Sequence, residues 1–142
     1  MNTSINAINR LVEYGVKPSL QRIAVMEYLM DNLTHPTADM IFSELYPSIP
    51  TLSKTTVYNT LKLLEEHGAI QSISIDDKNL RYDADISQHA HSKCKLCGCV
   101  NDFPVENVSI YERKVYEEFY VTEFQVYYKG YCKNCNELRM KN

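Results

Sequence analysis

Two Cys-x-x-Cys pairs, Cys94/Cys97 and Cys132/Cys135, constrain this chain more than any other feature. Each pair lets two sulfurs reach one ion at about 2.3 Å, and two such knuckles complete a tetrahedron with no position open for substrate. The N-terminus carries no signal-peptide pattern, and in a reducing compartment paired cysteines favour metal over disulfide. A structural zinc on Cys94, Cys97, Cys132 and Cys135 is therefore expected. The fifth cysteine, Cys99 beside Val100, reads as a small core residue.

The first pair is preceded by His89-Ala90-His91. On a strand these two histidines point to one face. Either alone reads as a satisfied polar residue. Together, with Asp83 before them and Asp102 after them, they suggest a second metal that the thiolates do not need to share. Imidazoles and carboxylates without thiolate favour Fe(II) or Mn(II) over zinc or Cu(I).

At 142 residues the chain makes one domain or two small ones, and two halves of this size have marginal cores that a structural zinc would help. No stretch approaches the ~18 apolar residues of a membrane span, so a cytoplasmic protein is expected. The net charge is −3, and residues 1–82 carry seven Lys/Arg against nine Asp/Glu. A strongly basic balance, the usual footprint of nucleic-acid binding, is absent. Any DNA binding must come from local placement of charge.

Periodicity predicts a helix over 5–14 ending at Gly15, and a second over Ser19–Asn32 with Pro18 in its first turn. A third spans 37–45, with Met40, Ile41 and Leu45 inward. Ser53 is a good N-cap for a fourth, Lys54–His67, which Gly68 is placed to end. Residues 70–75 alternate like a strand, 76–79 make a turn, and Leu80-Arg81-Tyr82 starts a return strand. This order is that of a winged helix-turn-helix over 1–82. Residues 83–88 read as a linker and 89–142 as a second domain. There the pattern predicts short strands around the first cysteine pair, a helix over 107–119 (Val108, Tyr111, Val115, Phe119 on one face), a strand over 123–129, and a short polar tail from Asn136.

On the fourth helix Val57, Leu61 and Leu64 form one stripe. Lys54, Thr55, Tyr58, Asn59 and Lys62 lie off it and offer groups that meet phosphates and base edges in a major groove. A solvated face is the bland alternative; the cap, the preceding turn and the following hairpin argue against it.

With these residues in view, the chain resembles the ferric uptake regulator (Fur) family, in particular its peroxide-stress regulator (PerR) branch. The resemblance runs over nearly the whole length. It is carried by His35-Pro-Thr-Ala-Asp39, Ser53-Lys-Thr-Thr-Val-Tyr-Asn-Thr-Leu61, Arg81-Tyr-Asp83, His89-Ala-His-Ser-Lys-Cys-Lys-Leu-Cys-Gly98, Asp102-Phe103 and Cys132-Lys-Asn-Cys135. It implies an α+β protein, with an N-terminal winged helix-turn-helix domain and a small C-terminal α/β dimerisation domain holding a four-cysteine zinc. It also implies a homodimeric repressor, not an enzyme, acting on double-stranded DNA at a palindromic AT-rich operator, with no membrane and no small organic ligand as partner. The regulatory Fe(II) or Mn(II) would take His35, Asp83, His89, His91 and Asp102. One ion would thereby tie the two domains in the orientation that fits DNA. In the family, peroxide reacts with the iron form and oxidises site histidines, and His35 and His89 match the vulnerable ones. Asp102 and Asn59 stand where iron sensors usually carry Glu and Arg, which favours the peroxide branch. The segment between Phe124 and Cys132 is shorter than usual and contains no histidine, so an additional metal site that some members build there is not available.

The nearest rival is an iron- or zinc-responsive repressor of the same family without peroxide sensing. A metallohydrolase using His35, His89 and His91 has no evident substrate pocket in such a fold. A zinc-ribbon module binding only protein is a third reading, which operator binding would exclude.

Overall fold

A computed structural model describes residues 3–75, 78–87, 89–104 and 125–141. The chain divides into two compact units, Met1–Ile86 and Ser87–Asn142. Asp83–Ile86, which the sequence pattern puts in a linker, lie in the first unit, and Asp83 is paired in a strand.

In the first unit, helices α1 (Thr3–Glu13), α2 (Leu20–Asp31), α3 (Ala38–Leu45) and α4 (Lys54–Glu66) precede strands β1 (Gln71–Ile73) and β2 (Arg81–Asp83). Capping explains where the helices start. Ser19, Thr37 and Ser53 are extended N-caps whose side chains accept from the backbone N–H of Arg22, Met40 and Thr56. Pro18 thus lies before the α2 cap, not in its first turn. Gly15 and Gly68 follow α1 and α4 with φ of 75° and 80°, the left-handed conformation that glycine adopts without penalty.

The core forms where the helical stripes meet: Leu11 of α1, Val25, Met26 and Leu29 of α2, Ile41 of α3, and Val57, Leu61 and Leu64 of α4 are all fully buried. On α3 the inward stripe is Ala38, Ile41, Phe42 and Leu45, spaced i, i+3, i+4, i+7. Met40, expected inward, is 45% exposed, because it lies about 100° around the helix from Ile41. The antiparallel wing pairs Gln71 with Asp83, Ser72 with Tyr82 and Ile73 with Arg81. Its base is clamped by Arg10 of α1, whose Nη1 donates to the carbonyls of Ala69 (3.0 Å) and Ala84 (2.9 Å).

In the second unit, β3 (His89–Cys94) is the middle strand of a sheet ordered β4-β3-β5. Strand β4 (Val100–Pro104) runs antiparallel to it, with His91 opposite Asp102. Strand β5 (Val126–Gly130) runs parallel, with His91 opposite Tyr127 and Cys94 opposite Gly130. The helix expected over 107–119 and the start of the strand expected over 123–129 lie outside the described residues. The expected polar tail is instead a helix, α5 (Lys133–Met140). Its Arg139 stacks on the Tyr131 ring at 4.2 Å and donates to Asn136. Among the described residues of this unit, the buried apolar side chains are only Ala90, Cys94 and Cys135. No described helix is long and apolar enough to cross a membrane.

Candidate metal centre and nucleic-acid interface

His35 occupies the turn between α2 and α3 with φ of 60°, a left-handed backbone that histidine adopts more readily than most residues. The turn is laced to the wing. The Pro36 carbonyl accepts from Tyr82 N–H (2.9 Å), the His35 carbonyl accepts from Arg81 Nη1 (3.0 Å), and Thr37 bridges to Arg81. This lacing carries His35 to Asp83, where Nε2 and Oδ2 are 3.3 Å apart and both side chains are buried. Asp83 Oδ1 accepts from the backbone N–H of Asp85 at 2.8 Å, which fixes the carboxylate. A carboxylate buried against an imidazole keeps its charge only with partners around it. The pair offers a nitrogen and an oxygen to a cation.

The second unit builds another such group from sheet register. His89 and His91 alternate onto one face of β3, and Asp102 pairs across from His91. One carboxylate oxygen, Asp102 Oδ1, lies 2.9 Å from His91 Nδ1 and 3.3 Å from His89 Nε2. The two rings meet edge to face at 4.5 Å. His89 Nδ1 is 2.7 Å from the Ser87 carbonyl, an orienting contact of the kind that fixes an imidazole's tautomer at a metal site.

The opposite face of β3 carries sulfur. Because β3 and β5 are parallel, the knuckles that follow them emerge at the same end of the sheet. The Lys95 N–H to Gly130 carbonyl bond (2.7 Å) holds that end together. The sulfurs of Cys94, Cys97, Cys99 and Cys132 lie within 4.8 Å of one another, and Cys97 Sγ is 3.9 Å from Cys132 Sγ. Cys135, buried in the first turn of α5, interacts through its thiol with Cys132, Cys94 and Cys97. Backbone hydrogen bonds at Cys132 and Cys97 pull the Cys94 thiol down to about 5. The neighbouring Cys97 pushes the Cys99 thiol up to about 11, and Cys132 pushes that of Cys135 up to about 12. Sulfurs this close, with two thiols sharing hydrogens with their neighbours, suit a thiophilic tetrahedral cation.

Cys99 corrects the sequence reading. It is half-exposed, not a core residue, and its sulfur belongs to the cluster. The signal was available: four residues separate Cys94 from Cys99, and Gly98 among them can take positive φ. A hairpin closing there sets the two cysteines opposite each other.

On α4 the side chains of Lys54, Thr55, Tyr58, Asn59 and Lys62 are all exposed. Asp39 of α3 lies against this face, 3.8 Å from Lys54 Nζ and 3.5 Å from the Tyr58 hydroxyl, and Lys54 stands over the Phe42 ring. Beside it an open cleft of about 420 Å³ is lined by Asn59 and Thr56 of α4 and by Lys17, Ser19 and Arg22 at the start of α2. Lys17 and Arg22 were not singled out by the sequence pattern. Their signal is a capped helix start flanked by cations, an arrangement that suits phosphate.

The profile of the ferric uptake regulator family matches residues 13–129. The peroxide-responsive repressor PerR of Staphylococcus aureus is 33% identical over 133 residues, covering 92% of this chain and 90% of that protein. Among solved structures, the ferric uptake regulator Fur of Helicobacter pylori, which has three functional metal-binding sites, superposes with a TM-score of 0.74. It is 22% identical, with 95% of each chain covered. PerR of Streptococcus pyogenes, studied for peroxide sensing and gene regulation, superposes at 0.53 with 30% identity, covering 95% of this chain and 94% of that one.

Proposed function

Because this chain belongs to the ferric uptake regulator family of metal-responsive regulators, we propose that it is a dimeric DNA-binding repressor of the peroxide-sensing kind. The carrying observation is the paired donor chemistry: an N/O set with no thiolate, and a sulfur set apart from it on the other face of β3. Cys94, Cys97, Cys132 and Cys135 would hold zinc, whose binding energy would be part of the folding energy of the second unit. His35 and Asp83 from the first unit, with His89, His91 and Asp102 from the second, would hold Fe(II) or Mn(II). Neither half supplies the five or six ligands these ions prefer, so one ion serving both halves is the economical assignment.

The protein's own residues divide the work. The wing and the 35–37 turn hold His35 and Asp83 in place. Strands β3 and β4 hold the other three. A ligand that binds only the form in which all five converge shifts the population toward that form by its differential affinity. Helix α4 then presents Lys54, Thr55, Tyr58, Asn59 and Lys62 to the operator. Bound ferrous iron would supply one-electron chemistry with peroxide next to the imidazoles of His35 and His89. Oxygenated imidazole is a poorer ligand, so the population returns to the form that does not repress.

Kinship with the peroxide-responsive repressors at 30–33% identity supports this reading over an iron- or zinc-responsive repressor. Operator binding with Fe(II) or Mn(II), before and after a brief peroxide pulse, tests it. The iron-loaded protein is expected to release DNA while the manganese-loaded protein stays bound, with added oxygen on His35 or His89 by peptide mass analysis. Equal release of both forms, or oxygen only on cysteines, would sink peroxide sensing and leave the iron- or zinc-responsive alternative.

A further inference from the structure

The sulfur cluster holds more ligands than a tetrahedral ion can use. Register explains why. The β3–β4 ladder pairs Lys93 with Val100, and continuing it by one step sets Cys94 opposite Cys99. The Cys94 N–H to Cys99 carbonyl bond of 3.0 Å confirms that step. Directly opposed residues of an antiparallel pair point to the same face with Cβ atoms about 4.5–5.5 Å apart. Gly98, at φ of 77°, closes the loop, and its N–H donates to the Cys94 carbonyl at 3.0 Å. The first knuckle is therefore Cys-x-x-Cys-Gly-Cys, and its hairpin geometry delivers three sulfurs to one place.

Cys99 has company there. Its sulfur shares the 4.8 Å group with Cys94, Cys97 and Cys132 and accepts a weak contact from Asn101 Nδ2 at 3.6 Å. Cys135 reaches the same three sulfurs from α5. Both Cys99 and Cys135 thus border Cys94, Cys97 and Cys132, and an ion on those three has one position left.

We infer that Cys99 is an alternate fourth ligand of the zinc site, exchanging with Cys135 beside Cys94, Cys97 and Cys132. The exchange is a thiolate substitution at the metal: the incoming thiol gives up its proton, a Zn–S bond forms, and the leaving thiolate takes a proton, with no change of oxidation state. With Cys99 bound, three of the four ligands come from one hairpin and α5 is tethered through Cys132 alone. With Cys135 bound, both ends of the first turn of α5 are fixed. The site could then keep its zinc while α5 loosens.

This inference rests on the zinc reading above, and the test separates the two. Zinc content and sulfur coordination by X-ray absorption are measured for the wild type, Cys99→Ser, Cys135→Ser and the double variant, all full length and reduced. A wild type without zinc sinks the underlying reading. Given zinc in the wild type, Cys135→Ser is expected to retain it with four sulfurs. The double variant should drop to three sulfurs and lose zinc to a chelator at least about 10-fold faster than either single variant, since even an outer partner of a metal ligand is worth about 10-fold in affinity. Three sulfurs in Cys135→Ser, or a double variant no faster than Cys135→Ser, overturns the exchange. Should Cys135→Ser fail to fold, N-ethylmaleimide labelling of the zinc-loaded wild type decides. Label on the Cys135 peptide supports exchange, and label confined to Cys99 overturns it.

Discussion

At the scale of single residues, His35 combines two demands. Its backbone is left-handed and its imidazole meets Asp83. His35→Ala should lose Mn(II)-activated operator binding and also lose up to about 1 kcal/mol of stability, because alanine lacks histidine's several-fold preference for that backbone. His35→Asn should lose the same metal response with a smaller fall in melting temperature, since asparagine accepts positive φ. Gel shifts with and without Mn(II), beside thermal melts, check both variants; an Asn variant that keeps the metal response would remove His35 from the ligand set. Lys54→Ala should weaken binding to all DNA sequences and reduce the slope of log affinity against log salt by about 1. The His89/His91 pair was legible as a strand face, because alternation needs only adjacent sequence. Asp83 and Asp102 were legible as carboxylates flanking that pair, though not which oxygen meets which ring. His35 was not legible from spacing, because a turn laced to a wing is a long-range fact; it came from resemblance. Cys99 was misread because its neighbour Val100 suggested a core where register supplies a knuckle.

At the scale of elements, α4 depends on its cap and its stripe. Ser53→Ala removes the side-chain acceptor for Thr56 N–H and should cost about 1 kcal/mol. Leu61→Ala, at a fully buried position, should cost about 2–5 kcal/mol. Denaturant titrations of the two variants check the ranking; a loss in Ser53→Ala as large as in Leu61→Ala would overturn the claim that burial outweighs the cap in α4. The first four helices were readable because each carries an apolar stripe of 3.6 periodicity, and capping side chains start α2, α3 and α4. Helix α5 was not. Its sequence Lys-Asn-Cys-Asn-Glu-Leu-Arg-Met has a single buried residue, Cys135, while Leu138 and Met140 are exposed. No apolar face announces it; the Tyr131–Arg139 stack and the thiolate cluster hold it in place.

At the scale of the whole molecule, the two units differ in what holds them together. The first has a core drawn from all four helices. In the second, the described buried apolar residues are few, and two of the three, Cys94 and Cys135, are proposed zinc ligands rather than packing side chains. Chelation of zinc under reducing conditions should therefore unfold the second unit and leave the first intact. Far-UV circular dichroism should keep most of its helical signal, while limited proteolysis should cut only beyond residue 86. A single cooperative loss of the whole signal would show that the first unit does not stand alone. Cys94→Ser should reproduce the chelated state and abolish the dimer.

Strand β3 sorts ligands by parity. Odd positions 89 and 91 carry nitrogen and the even position 94 carries sulfur, so the interval between the two chemistries is an odd number of steps. An insertion or deletion of one residue between His91 and Cys94 would turn one set onto the other's face, whereas a change of two would only lengthen or shorten the strand. Length variation in this segment should therefore come in pairs, a rule of arithmetic on the chain that neither metal imposes by itself.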